Sequence, residues 1–189
     1  AEYMPQKMIT EQIATEFLHK ESDIRIQEIT SDKYLSFLVK ELKPYVDKNY
    51  RTKSDQKNTF IMGSSMGGMI SAYAISEYPE IFGGAACLST HWTLGGDAVT
   101  NWYEDHWPSA GDHLLYFDRG TESYDANYGH GQALMDSIME KKGFTRDLDW
   151  KSLIFQGESH TPTAWKGRLH IPLEFLLGVK KTNLPSPIK

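Results

Sequence analysis

Thr59-Phe60-Ile61-Met62-Gly63-Ser64-Ser65-Met66-Gly67-Gly68 decides how this chain folds. Phe60, Ile61 and Met62 form an apolar run of strand type that ends in a cluster of small residues. A helix-compatible run follows, with Met69, Ile70, Ala72, Tyr73, Ala74 and Ile75. Gly63-x-Ser65-x-Gly67 fits the G-x-S-x-G nucleophile elbow, in which a serine sits on a sharp strand-to-helix turn. Such a serine holds strained dihedrals while the chain packs tightly on both sides, and glycines two before and two after leave room for that approach. Ser65 then stands at a helix N-terminus, where the free N–H of Met66 can face a developing oxyanion. The same letters also occur as a plain glycine-rich turn. Strand before and helix after favour the nucleophile.

The 189 residues suit one domain with a real core, expected over residues 1–180, and a tail over 181–189. Hydrophobic residues at 40% and charged residues at 24% are ordinary for a soluble globular protein. A formal net charge of −5 and the absence of basic runs argue against nucleic acid and anionic membrane as partners. No stretch approaches a membrane span, and the first residues lack a signal-peptide pattern. The single Cys87 excludes an intramolecular disulfide. No H-x-x-x-H and no clustered Asp/His set has ligand spacing, so neither a metal nor an organic cofactor is expected.

Along the chain, Pro5 discourages a helix across the first residues, and Met8 to Phe17 reads as a short helix. Lys20 to Thr30, with Ile24 and Ile26 in alternation, is a loop or a poor edge strand. Ser31-Asp32 looks like an N-cap for a helix through about Asn49, with a kink or break at Pro44. After the elbow helix, Gly83 to Ser89 reads as a buried strand of small residues. Thr90 to Asp112, rich in Trp, Gly and His, reads as a long loop or small cap. His113 to Asp118 and Trp150 to Gln156 are further strands, with a helix from Tyr128 to Lys142 between them. Thr163 to Leu177 is a closing helix despite Pro172. Strands alternating with helices predict a mostly parallel sheet covered on both faces.

A serine needs a base, and the base needs an orienting acid. In a sheet with this elbow the expected chain order is serine, acid, histidine, with the last two following later strands. His160, in Gln156-Gly157-Glu158-Ser159-His160, lies between the last strand and the final helix and is the best base. His91 and His106 lie in the aromatic loop, His113 begins a strand, and His130 and His170 fall on helices; packing or surface roles suit them. Asp118 still belongs to its strand. Glu122 and Asp125 both lie in the loop beyond it, and spacing alone leaves them equal.

Here the chain resembles a family. Ile61 to Gly68, Gly120-Thr121, and Gln156-Gly157-x-x-His160 with Trp165-Lys166 are similar to the putative-esterase family of α/β-hydrolases. That family includes esterase D, feruloyl esterases and enterochelin-esterase-like enzymes. The likeness runs from about Tyr34 to Leu177. It implies Ser65 as nucleophile and His160 as base. Family members carry the acid in Gly-Thr-x-Asp, but here Ser123 holds that place. A two-residue insertion, anchored on Gly131-Gln132, brings Asp125 to the acid's position, with Glu122 as the alternative. The resemblance also implies early strands and a second oxyanion donor for which nothing before Asn58 is an obvious source, so the expected fold is a truncated α/β-hydrolase.

The expected activity is that of a serine carboxylesterase on small-molecule esters with short or aromatic acyl groups, because no lid for long lipid chains is evident. Met66 N–H is the secured oxyanion donor, with Ser64 or the aromatic loop as helpers. His91, Trp92, Trp102 and Trp107 shape a pocket or pack the core; sequence does not separate the two. A sheet without its early strands exposes an edge, which predicts a homodimer, with exchange of the N-terminal segment as one route. The rival expectation is a non-catalytic or partner-dependent domain used for binding or assembly. A metal hydrolase is a distant third.

Overall fold

Four strands build one parallel sheet in the order β1 (Phe60–Ser64), β2 (Gly84–Leu88), β3 (Leu114–Arg119), β4 (Trp150–Ile154). The structure, a computed structural model, describes residues 2–9 and 29–178. Register is set by Phe60 opposite Gly84, Gly84 opposite Leu114 and Leu115 opposite Trp150. Each strand returns through at least one helix, as parallel neighbours require. Before β1 stand α1 (Ser31–Phe37) and α2 (Lys43–Asn49); between the strands lie α3 (Met66–Glu77), α4 (Asp97–His106) and α5 (Gly129–Lys141). After β4 come α6 (Pro162–Arg168) and α7 (His170–Leu177).

β2 shows why the sheet is covered twice. All five of its residues are buried, and their side chains alternate between two apolar clusters. Ala85 and Cys87 meet the cluster holding Met69, Tyr73, Tyr103, Met135 and Trp150. Ala86 and Leu88 face the opposite cluster with Tyr116, Leu176, Trp165 and Phe175. Small side chains on β2 let helices approach closely; a Cβ on Gly84 would lie 3.0 Å from Leu176 Cδ2 on α7. The elbow helix α3 is buried over Gly68 to Ile75, so it is apolar on all sides instead of striped.

Several expectations are corrected by packing. The helix over residues 31–49 does not stop at Pro44. A π-helical turn, Leu38–Leu42, joins α1 to α2, and Lys43 N–H bonds the Leu38 carbonyl just before the proline that has no N–H to give. Thr30, not Ser31-Asp32, precedes the helix; Ser31 Oγ instead accepts the Gln6 N–H at 2.9 Å, and Asp32 accepts the Tyr73 hydroxyl at 2.6 Å. The stretch from Thr90 to Asp112 contains α4, which buries Val99, Thr100 and Tyr103. The closing helix divides at Leu169, and Pro172 falls within the first turn of α7, where its missing N–H costs nothing. The readings of Met8 to Phe17 and of Lys20 to Thr30 fall largely outside the described residues, as does the tail from 181.

Candidate active site

The elbow forms from steric necessity. Ser65 holds φ 58°, ψ −121°, and its N–H reaches across to the Leu88 carbonyl at 2.9 Å. A Cβ on Gly63 would collide with the backbone of Gly67, and one on Gly68 with the Thr90 side chain. A Cβ on Gly67 would meet nothing within 4 Å, so the two glycines of the motif are not equivalent. Intrahelical bonding in α3 starts with the Gly68 and Met69 N–H groups on the Ser65 carbonyl, at 3.0 and 3.2 Å. The Met66 N–H, one turn position earlier, has no intrahelical acceptor. Beside it opens a cavity of about 490 Å³ lined by Ser64, Ser65, Met66, Met62, Tyr34 and Trp165 among others.

Every strand delivers one polar residue to this end of the sheet: Ser65 after β1, Ser89 after β2, Asp125 after β3 and His160 after β4. Asp125 lies in a 3-10 turn, Ser123–Asn127, and is fully buried. Its Oδ1 is 2.5 Å from His160 Nδ1. Its Oδ2 accepts the Gly120 N–H at 2.5 Å and the Ser89 hydroxyl at 2.6 Å. Glu122 instead gives its backbone N–H to the Glu158 carbonyl at 3.0 Å, and its side chain is exposed. The loops after β3 and β4 are stitched together by that bond, by Thr121 N–H to the same carbonyl and by Gly157 N–H to Thr121 Oγ1. A Cβ on Gly120 would strike the Glu158 carbonyl, which explains a glycine there.

The His160 ring is held by three aromatic rings set nearly perpendicular to it, Trp165 at 5.0 Å, Tyr128 at 5.6 Å and Tyr124 at 5.7 Å between centroids. The Tyr128 hydroxyl lies close to the Ser65 side chain and 2.8 Å from His91 Nδ1. Burial pushes the Tyr128 phenol up to about 12, so it keeps its proton near neutrality. Trp92 and Trp107 are buried in the core, packed edge-on against Phe117, and do not line the Ser65 cavity. His91 sits closer, through Tyr128. His106 stacks on Trp102, His113 meets the Pro79 carbonyl and His130 meets Asp97.

Three residues at the site are passed over in the sequence reading: Ser89, Arg168 and Tyr128. Ser89 could have been found by the rule that sites gather at the carboxyl ends of parallel strands. Arg168 looks like any helical arginine. Among the described residues, no group of three or more His, Cys, Asp or Glu side chains is placed to share a metal ion.

A parallel sheet with a strained serine elbow after β1, and an acid and a histidine after later strands, is of α/β-hydrolase type. A family model described as putative esterase matches residues 19–127, more than half of the chain, and the chain belongs to that family. The match takes in Ser65 and Asp125 and ends before His160. An uncharacterized protein of Bacillus subtilis (strain 168), YbbA, is 29% identical over 166 residues, covering 80% of this chain and 62% of that one. An endo-1,4-beta-xylanase/feruloyl esterase of Xylanibacter ruminicola is 39% identical over 64 residues, covering 34% of this chain and 9% of that one. The chain thus spans less than two thirds of these relatives. Among solved structures, a ferulic acid esterase aligns with TM-score 0.60 at 19% identity, over 76% of this chain and 60% of that one. Ferric enterobactin esterase of Salmonella typhimurium aligns with TM-score 0.64 at 17% identity, over 79% and 37%. These last two likenesses describe the fold.

Proposed function

We propose that this protein is a carboxylic ester hydrolase working through a serine acyl-enzyme. The observation that carries the reading is the 2.5 Å contact between Asp125 Oδ1 and His160 Nδ1, at the same sheet end as the strained Ser65. Nδ1 is spent on the carboxylate, so the Nε2 lone pair is the free basic position. In the reaction, the Ser65 hydroxyl turns to His160 Nε2 and gives up its proton as Oγ attacks the ester carbonyl. The Met66 N–H faces the oxyanion of the tetrahedral intermediate. Collapse expels the alcohol, which takes the proton from His160. Water then repeats the sequence on the acyl-enzyme and returns Ser65, with the carboxylic acid as second product.

The cavity beside Ser65 is walled by Met62, Ile70, Tyr34 and Trp165 and has room for a short or an aromatic acyl group. The test is hydrolysis of p-nitrophenyl acetate and butyrate by the wild type beside Ser65→Ala. Turnover lost in the variant supports the reading; equal turnover in both sinks it.

One observation favours a second reading. No strand pairs with the outer edge of β1 among the described residues. A partner-dependent domain, completed by a second chain at that edge, fits this feature. It predicts a folded protein that is inert alone and gains Ser65-dependent turnover on association.

A further inference from the structure

We infer that Ser89 is a positioning residue for the acid–histidine pair, its hydroxyl locked in direction by Trp165 and Arg168; this rests on the serine mechanism proposed above. A serine hydroxyl owns one proton and two lone pairs. Ser89 Oγ has three partners: Trp165 Nε1 at 3.0 Å, Arg168 Nη2 at 2.8 Å and Asp125 Oδ2 at 2.6 Å. Indole N–H and guanidinium can only donate, so they take both lone pairs. The one hydroxyl proton is left for Asp125 Oδ2. The direction of this bond follows from the count of donors, without any hydrogen being seen.

The consequence passes to His160. With Oδ2 saturated by Ser89 and the Gly120 N–H, Oδ1 is left to receive the His160 Nδ1 proton. The carboxylate plane is thereby set, and with it the imidazole tautomer that keeps Nε2 free. Arg168 is itself anchored. Its Nε and Nη2 meet Asp118 Oδ2 and Oδ1 at 3.2 and 3.1 Å, and both side chains are buried. Asp118 also accepts the Tyr116 hydroxyl at 2.9 Å and the Ser89 N–H at 3.2 Å. Ser89 pays for its place with a left-handed backbone, φ 41°, which its two N–H bonds to Asp118, through the carbonyl and the carboxylate, hold in register. Trp165 serves twice, since the ring that donates to Ser89 also packs at right angles against the His160 ring.

The experiment combines kinetics with proton NMR on the intact chain for wild type, Ser89→Ala and Ser89→Cys. The reporter is the downfield His160 Nδ1–H resonance, assigned by its disappearance in His160→Gln. Ser89→Ala is expected to broaden or move that resonance upfield and to lower kcat about 10- to 100-fold, with KM within about twofold. Ser89→Cys, a weaker donor of similar shape, falls between. A resonance and a kcat unchanged in a folded Ser89→Ala overturn the inference. If Ser89→Ala does not fold, Ser89→Cys decides on the same two readings. A wild type without turnover, whose resonance still moves in Ser89→Ala, keeps the positioning role and rejects the esterase reading.

Discussion

Asp125 Oδ1 lies 2.5 Å from His160 Nδ1, while Glu122, three residues earlier in chain, points its side chain to solvent. Spacing from Gly120 did not choose between these carboxylates. The choice is made by the 3-10 turn at Ser123–Asn127, which folds Asp125 back under the Gly120 N–H.

Asp125→Asn is therefore expected to lower kcat on p-nitrophenyl acetate by about 10³–10⁴-fold, the scale seen when a triad acid loses its charge. Glu122→Gln should stay within about twofold of wild type. Comparable losses in both variants, with thermal midpoints preserved, would remove Asp125 from the role.

The elbow yields a contrast in stability. Ala at Gly63 drives a Cβ into the backbone of Gly67, with no flexible side chain to yield. A destabilisation of about 1–3 kcal/mol or more is expected, as for overpacking in a tight interior. Ala at Gly67 meets open space on the first turn of α3 and gains helix propensity of up to about 1 kcal/mol. Thermal unfolding of the two variants should move in opposite directions. A Gly63→Ala protein as stable as wild type would show that the elbow relaxes easily.

The sheet and the elbow were legible because local chemistry and tertiary demand agree there. β2 is small and apolar because it is buried on both faces, and a glycine stands two before Ser65 because a Cβ at Gly63 would strike the Gly67 backbone. What could not be read depends on juxtaposition. Arg168 meets Ser89 79 residues away in sequence, and neither residue carries a local mark of that contact. The helix α4 was hidden because its buried residues, Val99, Thr100 and Tyr103, are interleaved with Asn101, Glu104 and Asp105 in a segment dense with aromatic residues. There is a physical reason that Pro44 does not break its helix: the π turn ahead of it, with Lys43 N–H on the Leu38 carbonyl, accommodates the residue that has no N–H to give.

Alkaline pH offers a test of burial. Tyr34 and Tyr128 are pushed up to about 12 by burial, and Tyr73, Tyr78, Tyr103 and Tyr116 are also raised, chiefly by burial. In the unfolded chain these phenols ionise near their ordinary value of 10.0. Their folded values are higher, so the folded state holds protons that the unfolded state releases. The stability they contribute is full below pH 10 and falls as pH rises through about 12. Phenolate absorbance at 295 nm should therefore show a late step that coincides with loss of far-ultraviolet circular dichroism. Complete phenolate formation by pH 11 with circular dichroism intact would mean that these rings are open to water.

The last prediction concerns the outer edge of β1. Ser65 N–H and Thr59 C=O both point to the β2 side, at 2.9 Å from Leu88 O and Gly83 N. Backbone groups alternate along a strand, so those of Phe60, Met62 and Ser64 face outward. On the strand and beside it, Met62 and Leu42 are exposed, and a cleft of about 500 Å³ runs between Leu38, Leu42, Val46 and Phe60. We propose that a second copy covers this edge, β1 pairing with its own twin across a two-fold axis. Sedimentation velocity should then show a concentration-dependent dimer. Met62→Pro removes one outward N–H where an edge strand tolerates proline, so it should give a folded monomer. A wild type that stays monomeric at high micromolar concentration, or a Met62→Pro protein that still dimerises as tightly, would exclude pairing through β1.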